Sequence, residues 1–283
     1  MEKVCSKQEF FDIIKANRKN THADINNNFL SSSEIERLVN RDALYYEVKE
    51  NGIIFLSDEV EYYNIYYYWN SNEDFPAIEK DKPVVIVNYW QGDKGEKQLR
   101  FEEKLKKAGF KNSHLSGQIK KNPERLKEVV DRTYGLSKKI FDGCGLRLVP
   151  PEKEHVEGMR ELFRSLKEIP VWHVPYRSDE EIVESGKRGN TVCAIDKNDR
   201  VCGAITYFQD DATYGWVGVA EDYQKKPGIP VVLYEWSYRR IMERNPNLNG
   251  WIAEDNLKSS KFHLAMGFTW TGRHKEDWVL FNQ

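Results

Sequence analysis

Asn256-Leu257-Lys258-Ser259-Ser260-Lys261-Phe262-His263-Leu264-Ala265-Met266-Gly267-Phe268 is the stretch on which the fold is read. Asn256 is suited to cap a helix, because its side-chain oxygen can accept from a first-turn N–H. Apolar residues follow at helical spacing. Gly267 then suits the left-handed position that ends a helix, and Phe268 opens a strand. A capped helix feeding directly into a strand is the result.

The residues upstream form an ordered series. Leu146-Arg147-Leu148-Val149 reads as a short strand closed by Pro150-Pro151. His155 to Leu166 carries Val156, Met159, Leu162, Phe163 and Leu166 at the helical period. Ser178 followed by Asp179-Glu180-Glu181 marks the N-terminus of a second helix running to about Ser185. Thr191–Ile195 and Val201–Phe208 are β-rich runs on either side of the polar turn Asp196-Lys197-Asn198-Asp199-Arg200. Tyr214–Val219 is the next strand, and a helix is expected from Pro230 to about Arg244, before Asn245-Pro246. Trp251–Ala253 and Trp278–Phe281 complete the series as strands flanking the opening helix.

This order, β-α-α-β-β-β-α-β-α-β over about 140 residues, resembles the GNAT family of acyl-CoA N-acyltransferases. Asn256, Ser259, Gly267 and Phe268 match the family's last-helix pattern, but His263 stands where the family usually keeps Tyr. The resemblance implies a mixed, mostly antiparallel central sheet flanked by helices. Residues 141–283 would form the acyltransferase domain.

The first 140 residues repeat the series weakly. Ala43–Val48, the turn Lys49-Glu50-Asn51-Gly52 and Ile53–Leu56 mirror the later hairpin. Tyr62-Tyr63-Asn64-Ile65-Tyr66-Tyr67-Tyr68-Trp69 takes the place of the third strand, with aromatic side chains suited to pack on both faces. Val84–Val87 and the helix through Phe101–Phe110 mirror the last strand and helix, and both helices end in Gly-Phe. Between Trp69 and Pro83 lies only a short polar segment, with no glycine-bearing turn and no long helix. Residues 1–140 are thus expected to be a degenerate GNAT-like domain without a cofactor site. Pro123–Ile140 is expected as a joining helix, with Gly143-Cys144-Gly145 as hinge.

Composition excludes several classes. The chain has 283 residues, long enough for two domains. Its 43 basic and 45 acidic residues leave a net charge of -2, which offers no basic face to nucleic acid or an anionic membrane. No run of about 18 apolar residues is present to span a bilayer. The first residues, Met-Glu-Lys-Val-Cys-Ser-Lys-Gln-Glu, have no apolar signal core, and a cytoplasmic protein is expected. Cys5, Cys144, Cys193 and Cys202 form no Cys-x-x-Cys pair, and the six His have no metal-ligand spacing, so no metal is expected.

The family resemblance distributes the chemistry. Gln224-Lys225-Lys226-Pro227-Gly228-Ile229-Pro230-Val231 follows a strand and precedes a helix, as the family's pyrophosphate loop does. Free backbone N–H groups at a helix N-terminus favour anions. Counting back from Gly228 puts Lys225 at the loop's first position; matching Gln224 requires one inserted residue. Pro230 suits a first helical turn but removes one donor. Val217 and Val219 would offer backbone groups to pantetheine, with the strand Trp251-Ile252-Ala253-Glu254 as the other side of the splay, and Asn256 and Ser259 are further cofactor-binding candidates. His263 stands where the family's proton donor stands, although a His on an amphipathic helix also serves as a packing residue. Glu221 and Asp222 are the expected proton acceptors, or else a solvated acidic turn. Trp172, His173 and Tyr176 would form the wall for the amine acceptor. Acetyl-CoA is the implied donor and a small-molecule or peptide amine the implied partner, by direct transfer. A non-catalytic binding module and a transferase using a carrier-bound acyl or aminoacyl donor are the alternatives.

Overall fold

The computed structural model describes residues 1–17, 22–28, 30–166, 170–173, 177–207, 215–226, 228–242 and 249–281. From the N-terminus the elements are β1 (Glu2–Lys3), α1 (Lys7–Asn17), β2 (Ile25–Asn26), α2 (Ser32–Asn40), β3 (Leu44–Lys49), β4 (Gly52–Asp58), β5 (Tyr63–Trp69), β6 (Val84–Gln91), α3 (Glu96–Lys107) and β7 (Lys111–Lys121). Then follow α4 (Pro123–Gly143), β8 (Arg147–Val149), α5 (Lys153–Ser165), α6 (Asp179–Lys187), β9 (Thr191–Ile195), β10 (Val201–Tyr207), β11 (Gly215–Val219), α7 (Glu221–Gln224), α8 (Gly228–Ser237), β12 (Asn249–Ala253), α9 (Leu257–Ala265) and β13 (Phe268–Leu280).

The chain divides into two compact units, one of Met1–Ser116 with Gly272–Gln283 and one of Gly117–Thr271. The division differs from the boundary expected near residue 140. Helix α4, expected to join two halves, belongs wholly to the second unit, and the final strand is split. That strand is also longer than expected, 13 residues in place of Trp278–Phe281. Its polar run Thr269-Trp270-Thr271-Gly272-Arg273-His274-Lys275-Glu276-Asp277 carries no apolar signal of a strand. β7, also polar, was not visible in the sequence for the same reason.

In the first unit the sheet order is β1-β3-β4-β5-β6-β13-β7. Its aromatic strand β5 buries both faces. Ile65, Tyr67 and Trp69 enter one core with Phe75, Phe101 and Trp278, while Tyr66 and Tyr68 pack on the other around Phe10, Ile35 and Phe55. β5 and β6 run parallel for only three pairs, from Tyr63↔Val84 to Ile65↔Ile86. Past that point the chain's own segment 24–27 fills in. Asp24 N donates to Trp69 O and Asn27 N to Tyr67 O, at 3.0 and 3.3 Å. The Asn27 amide donates to Ile65 O at 3.0 Å and to Val87 O at 3.1 Å, so it bridges the two strands. Its Oδ1 accepts from Tyr67 N at 2.7 Å. Asp24 in turn accepts from Ser71 N and Ser71 Oγ just beyond β5. Residues 70–83 hold no helix, as expected.

In the second unit β11-β10-β9-β8 form one antiparallel sheet, and β12 pairs with β7 in another, so β11 and β12 are terminal strands that share no ladder. Asn122 caps α4 by accepting from Arg125 N at 3.1 Å, with Pro123 at the first helical position. Gly109 after α3 and Gly267 after α9 both take positive φ, +93° and +90°, which accounts for the paired Gly-Phe endings. The core joins Leu126, Val130 and Phe141 of α4 to Val232, Leu233 and Trp236 of α8 and Phe268 of β13. Among the described residues no helix is long and apolar enough to cross a membrane.

A buried polar cluster lies in the first unit. Lys94 Nζ stands 2.8 Å from Glu102 Oε1 and 2.6 Å from Glu276 Oε2, and Asn112 donates to Glu276 Oε2 at 2.8 Å. Burial, together with a hydrogen bond to Glu276, raises the Glu102 carboxyl to about 7. A carboxyl whose folded pKa lies above its unfolded value binds more protons in the native state. Its contribution is therefore complete below the unfolded value and is lost as pH rises through about 7. The melting temperature should fall between pH 5 and pH 8, and Glu102→Gln should flatten that fall. Equal slopes in a thermal melt series of both proteins would show that the cluster does not titrate here.

Candidate functional site

Among the described residues, strand β11 has one partnered edge. Ala220 N donates to Cys202 O of β10 at 2.9 Å, and the register pairs Gly218 with Ala204 and Trp216 with Thr206. Backbone groups alternate in direction along an antiparallel strand. Gly218 and Trp216 therefore turn their N–H and C=O toward β10, and Val217 and Val219 turn theirs outward. Those are the two strand residues that the sequence placed at a donor chain.

One outward group is taken by a side chain. Gln224, half-buried at the end of α7, donates through Nε2 to Val219 O at 3.1 Å. Its Oε1 accepts from Lys258 Nζ at 3.0 Å, which ties the end of β11 to the first turn of α9. Lys225 and Lys226 follow, both exposed, with Lys226 Nζ 5.2 Å from the Tyr223 ring. Then α8 begins. Gly228, Ile229 and Val231 are all buried. The first N–H groups of a helix have no intrahelical acceptor; here Ile229 N already donates to Lys226 O at 3.4 Å, and Pro230 supplies none. Gly228 has a second constraint. A Cβ there would lie 2.6 Å from Ser137 O and 3.0 Å from Ile140 Cβ, so this glycine lets α8 lie against α4.

Asn256 accepts from Ser259 N at 2.9 Å and caps α9, as the sequence indicates. His263, one turn on, is 9% exposed. Its Nδ1 lies 2.8 Å from Ser259 O and its Nε2 2.7 Å from Tyr234 Oη of α8. A carbonyl only accepts, so Nδ1 carries the proton and Nε2 accepts from the Tyr234 hydroxyl. Ser259 Oγ also lies 3.2 Å from Nδ1. Burial lowers the imidazole pKa, partly opposed by the Ser259 hydrogen bond. Tyr234, Phe262 and Phe268 each meet the ring edge-to-face. The proton-donor role expected for His263 is not the role these contacts give it. The ring is a neutral cross-link between α8 and α9.

The acidic pair also separates. Asp222 Oδ2 and Oδ1 accept from Arg200 Nη1 and Nη2 at 2.8 and 3.2 Å, which commits this carboxylate to the hairpin turn. Glu221 is exposed at the start of α7. Trp172 and His173 lie half-buried in the turn Val171–His173, with the His173 ring 6.4 Å from that of Trp216 on β11. Tyr176 lies outside the described residues. Two features escaped the sequence reading, the Gln224 bridge and the Tyr234–His263 bond. Both join residues 29 or more apart, which local periodicity does not report.

No family profile matches the sequence, and no curated protein matches it. Solved structures do. A GCN5-related N-acetyltransferase-like protein from Streptococcus suis superposes with a TM-score of 0.54 at 9% identity, covering 96% of this chain and 100% of that one. A GNAT-family acetyltransferase from Colwellia psychrerythraea has a TM-score of 0.48 at 11% identity and covers 99% of each chain. The fold is GNAT-type, a mixed and mostly antiparallel sheet flanked by helices.

Removing the α8–α9 cross-link should cost stability. His263→Phe keeps the ring but leaves the Tyr234 hydroxyl buried without an acceptor, a loss of about 1–3 kcal/mol. Gly228→Val should also destabilise, by about 1–3 kcal/mol, through forced overpacking against α4. Urea midpoints unchanged from wild type in both variants would contradict these contacts.

Proposed function

We propose that the second unit is an N-acyltransferase that takes an acyl group, most simply acetyl, from acyl-CoA and passes it to a primary amine of a small molecule or peptide. The observation that carries this reading is the outward row of β11, which ends at a turn leading into α8 within a GNAT-type fold. Val217 and Val219 offer amide groups to an extended donor chain. The first-turn N–H groups of α8 other than that of Ile229, which Lys226 O already takes, suit its phosphates together with Lys225 and Lys226. Asn256 and Ser259 stand at the start of α9, and Trp172, His173 and Tyr176 would line the acceptor side.

The first unit offers a parallel within the chain. On β5 the outward groups of Ile65 and Tyr67 already hold an amide, that of Asn27. We read that unit as a GNAT-like repeat whose donor cleft is filled by its own segment 24–27.

Coenzyme A supplies a thioester whose thiolate, with a thiol pKa near ~8.5, is a tolerable leaving group. The attacking amine forms the C–N bond, the C–S bond breaks, and the amine gives up a proton. Glu221, exposed beside the strand end, is positioned to relay that proton to water. His263 serves this site by fixing α9 against α8.

A second reading is favoured by one observation, the engaged imidazole at the family's proton-donor position. In that reading the unit binds acyl-CoA without turning it over.

Calorimetry with acetyl-CoA and with CoA should give one site per chain. Lys225→Ala with Lys226→Ala should weaken binding by about tenfold at unchanged melting temperature, since both side chains are exposed. Two sites would contradict the filled first unit, and no binding at all would remove the donor assignment. Binding without thiol release from acetyl-CoA across a panel of amines would favour the second reading.

A further inference from the structure

We propose that the Gln224 side chain is a displaceable latch on the donor edge, an internal stand-in for the donor's amide that must leave before an acyl-CoA can dock. The inference rests on the donor assignment above and adds a competition to it.

The Val219 carbonyl needs a hydrogen-bond donor. It points away from β10, at a strand edge with no partner strand among the described residues. Gln224 satisfies it by a primary amide N–H at 3.1 Å. A donor chain lying along β11 would satisfy it with the same kind of group, an amide N–H in the same direction. Both cannot occupy the position at once.

The first unit shows the permanent form of this device. Asn27 is 3% exposed, and its amide donates to two strands and accepts from a third backbone group. Four residues, Asp24 to Asn27, hold it in place along β5. Gln224 has none of that support. It is half-buried, it makes one bond to the strand, and its other partner is the exposed Lys258. Its longer side chain carries more rotamer freedom than that of Asn and can turn away without moving the backbone. One amide is locked and the other is releasable.

The consequence is a sign opposite to that of an ordinary ligand contact. If Gln224 held the donor, Gln224→Ala would weaken binding. As a latch, its removal spares the donor the breaking of the Val219 and Lys258 bonds. Gln224→Ala should then bind CoA about three- to tenfold more tightly, the range of one net hydrogen bond. The gain should appear in the association rate, because an open edge needs no prior rearrangement.

The test is calorimetry and stopped-flow binding of CoA to wild type and Gln224→Ala, with melting temperatures compared to confirm the fold. A second measurement follows the Gln224 side-chain NH2 resonance in wild type, assigned by its absence from the variant. It should move to the position of a solvent-exposed amide as CoA saturates the protein. Tighter and faster binding, or binding that appears only in the variant, supports the latch. Equal or weaker affinity in the variant, or a resonance that CoA leaves unmoved, overturns it while leaving the donor site in place. Failure of both proteins to bind CoA overturns the latch together with the donor assignment.

Discussion

An unpaired strand edge presents N–H and C=O groups that need partners, and this requirement organises both units. In the first, β5 and β6 part after three parallel pairs and leave Ile65, Tyr67 and Val87 to be satisfied. In the second, β11 and β12 end two separate sheets, and Val217 and Val219 face outward. A gap between strands in a sheet core is costly unless something polar and extended fills it. The first unit supplies its own filling from segment 24–27, whereas in the second, among the described residues, a side chain, Gln224, takes the Val219 carbonyl.

The helices beside that edge are positioned by contacts that limit how the site can vary. Gly228 lets α8 approach α4, and the same residue begins the turn expected to hold phosphate. His263 and Tyr234 join α9 to α8 through one hydrogen bond in an aromatic surround. Because the imidazole accepts from Tyr234, it must stay neutral on that nitrogen. Burial, which lowers its pKa, acts in the same direction. The His263–Tyr234 bond thus holds α9 to α8.

Much of the fold was legible because its elements obey local rules. The helices at Lys153–Ser165, Asp179–Lys187 and Leu257–Ala265 carry apolar periodicity or side-chain caps, and each lies where the pattern puts it. Strands β7 and β13 were not legible, because their polar side chains show no period-two alternation of apolar residues. The division into units was missed for a related reason. A sequence reading assigns each element to the half in which it occurs, and it has no view of a last strand shared between two compact units.

Site residues proved harder to read than elements, and the reason is the identity of their partners. Asp222 was assigned chemistry as an acid near a strand end, but Arg200, 22 residues earlier, holds it in a two-pronged ion pair. His263 was assigned chemistry by its place in a helix, but the deciding residue lies on another helix. Gln224 fits a loop consensus only with an insertion, yet its contacts explain its place without reference to that consensus. An amide at this point can hold a strand carbonyl and a lysine together, which neither a lysine nor an arginine could do, since both lack an acceptor. The residue type is thus dictated by the two groups it must join. That requirement of one donor and one acceptor on a single flexible side chain is what makes Gln224 resemble the amide of a ligand.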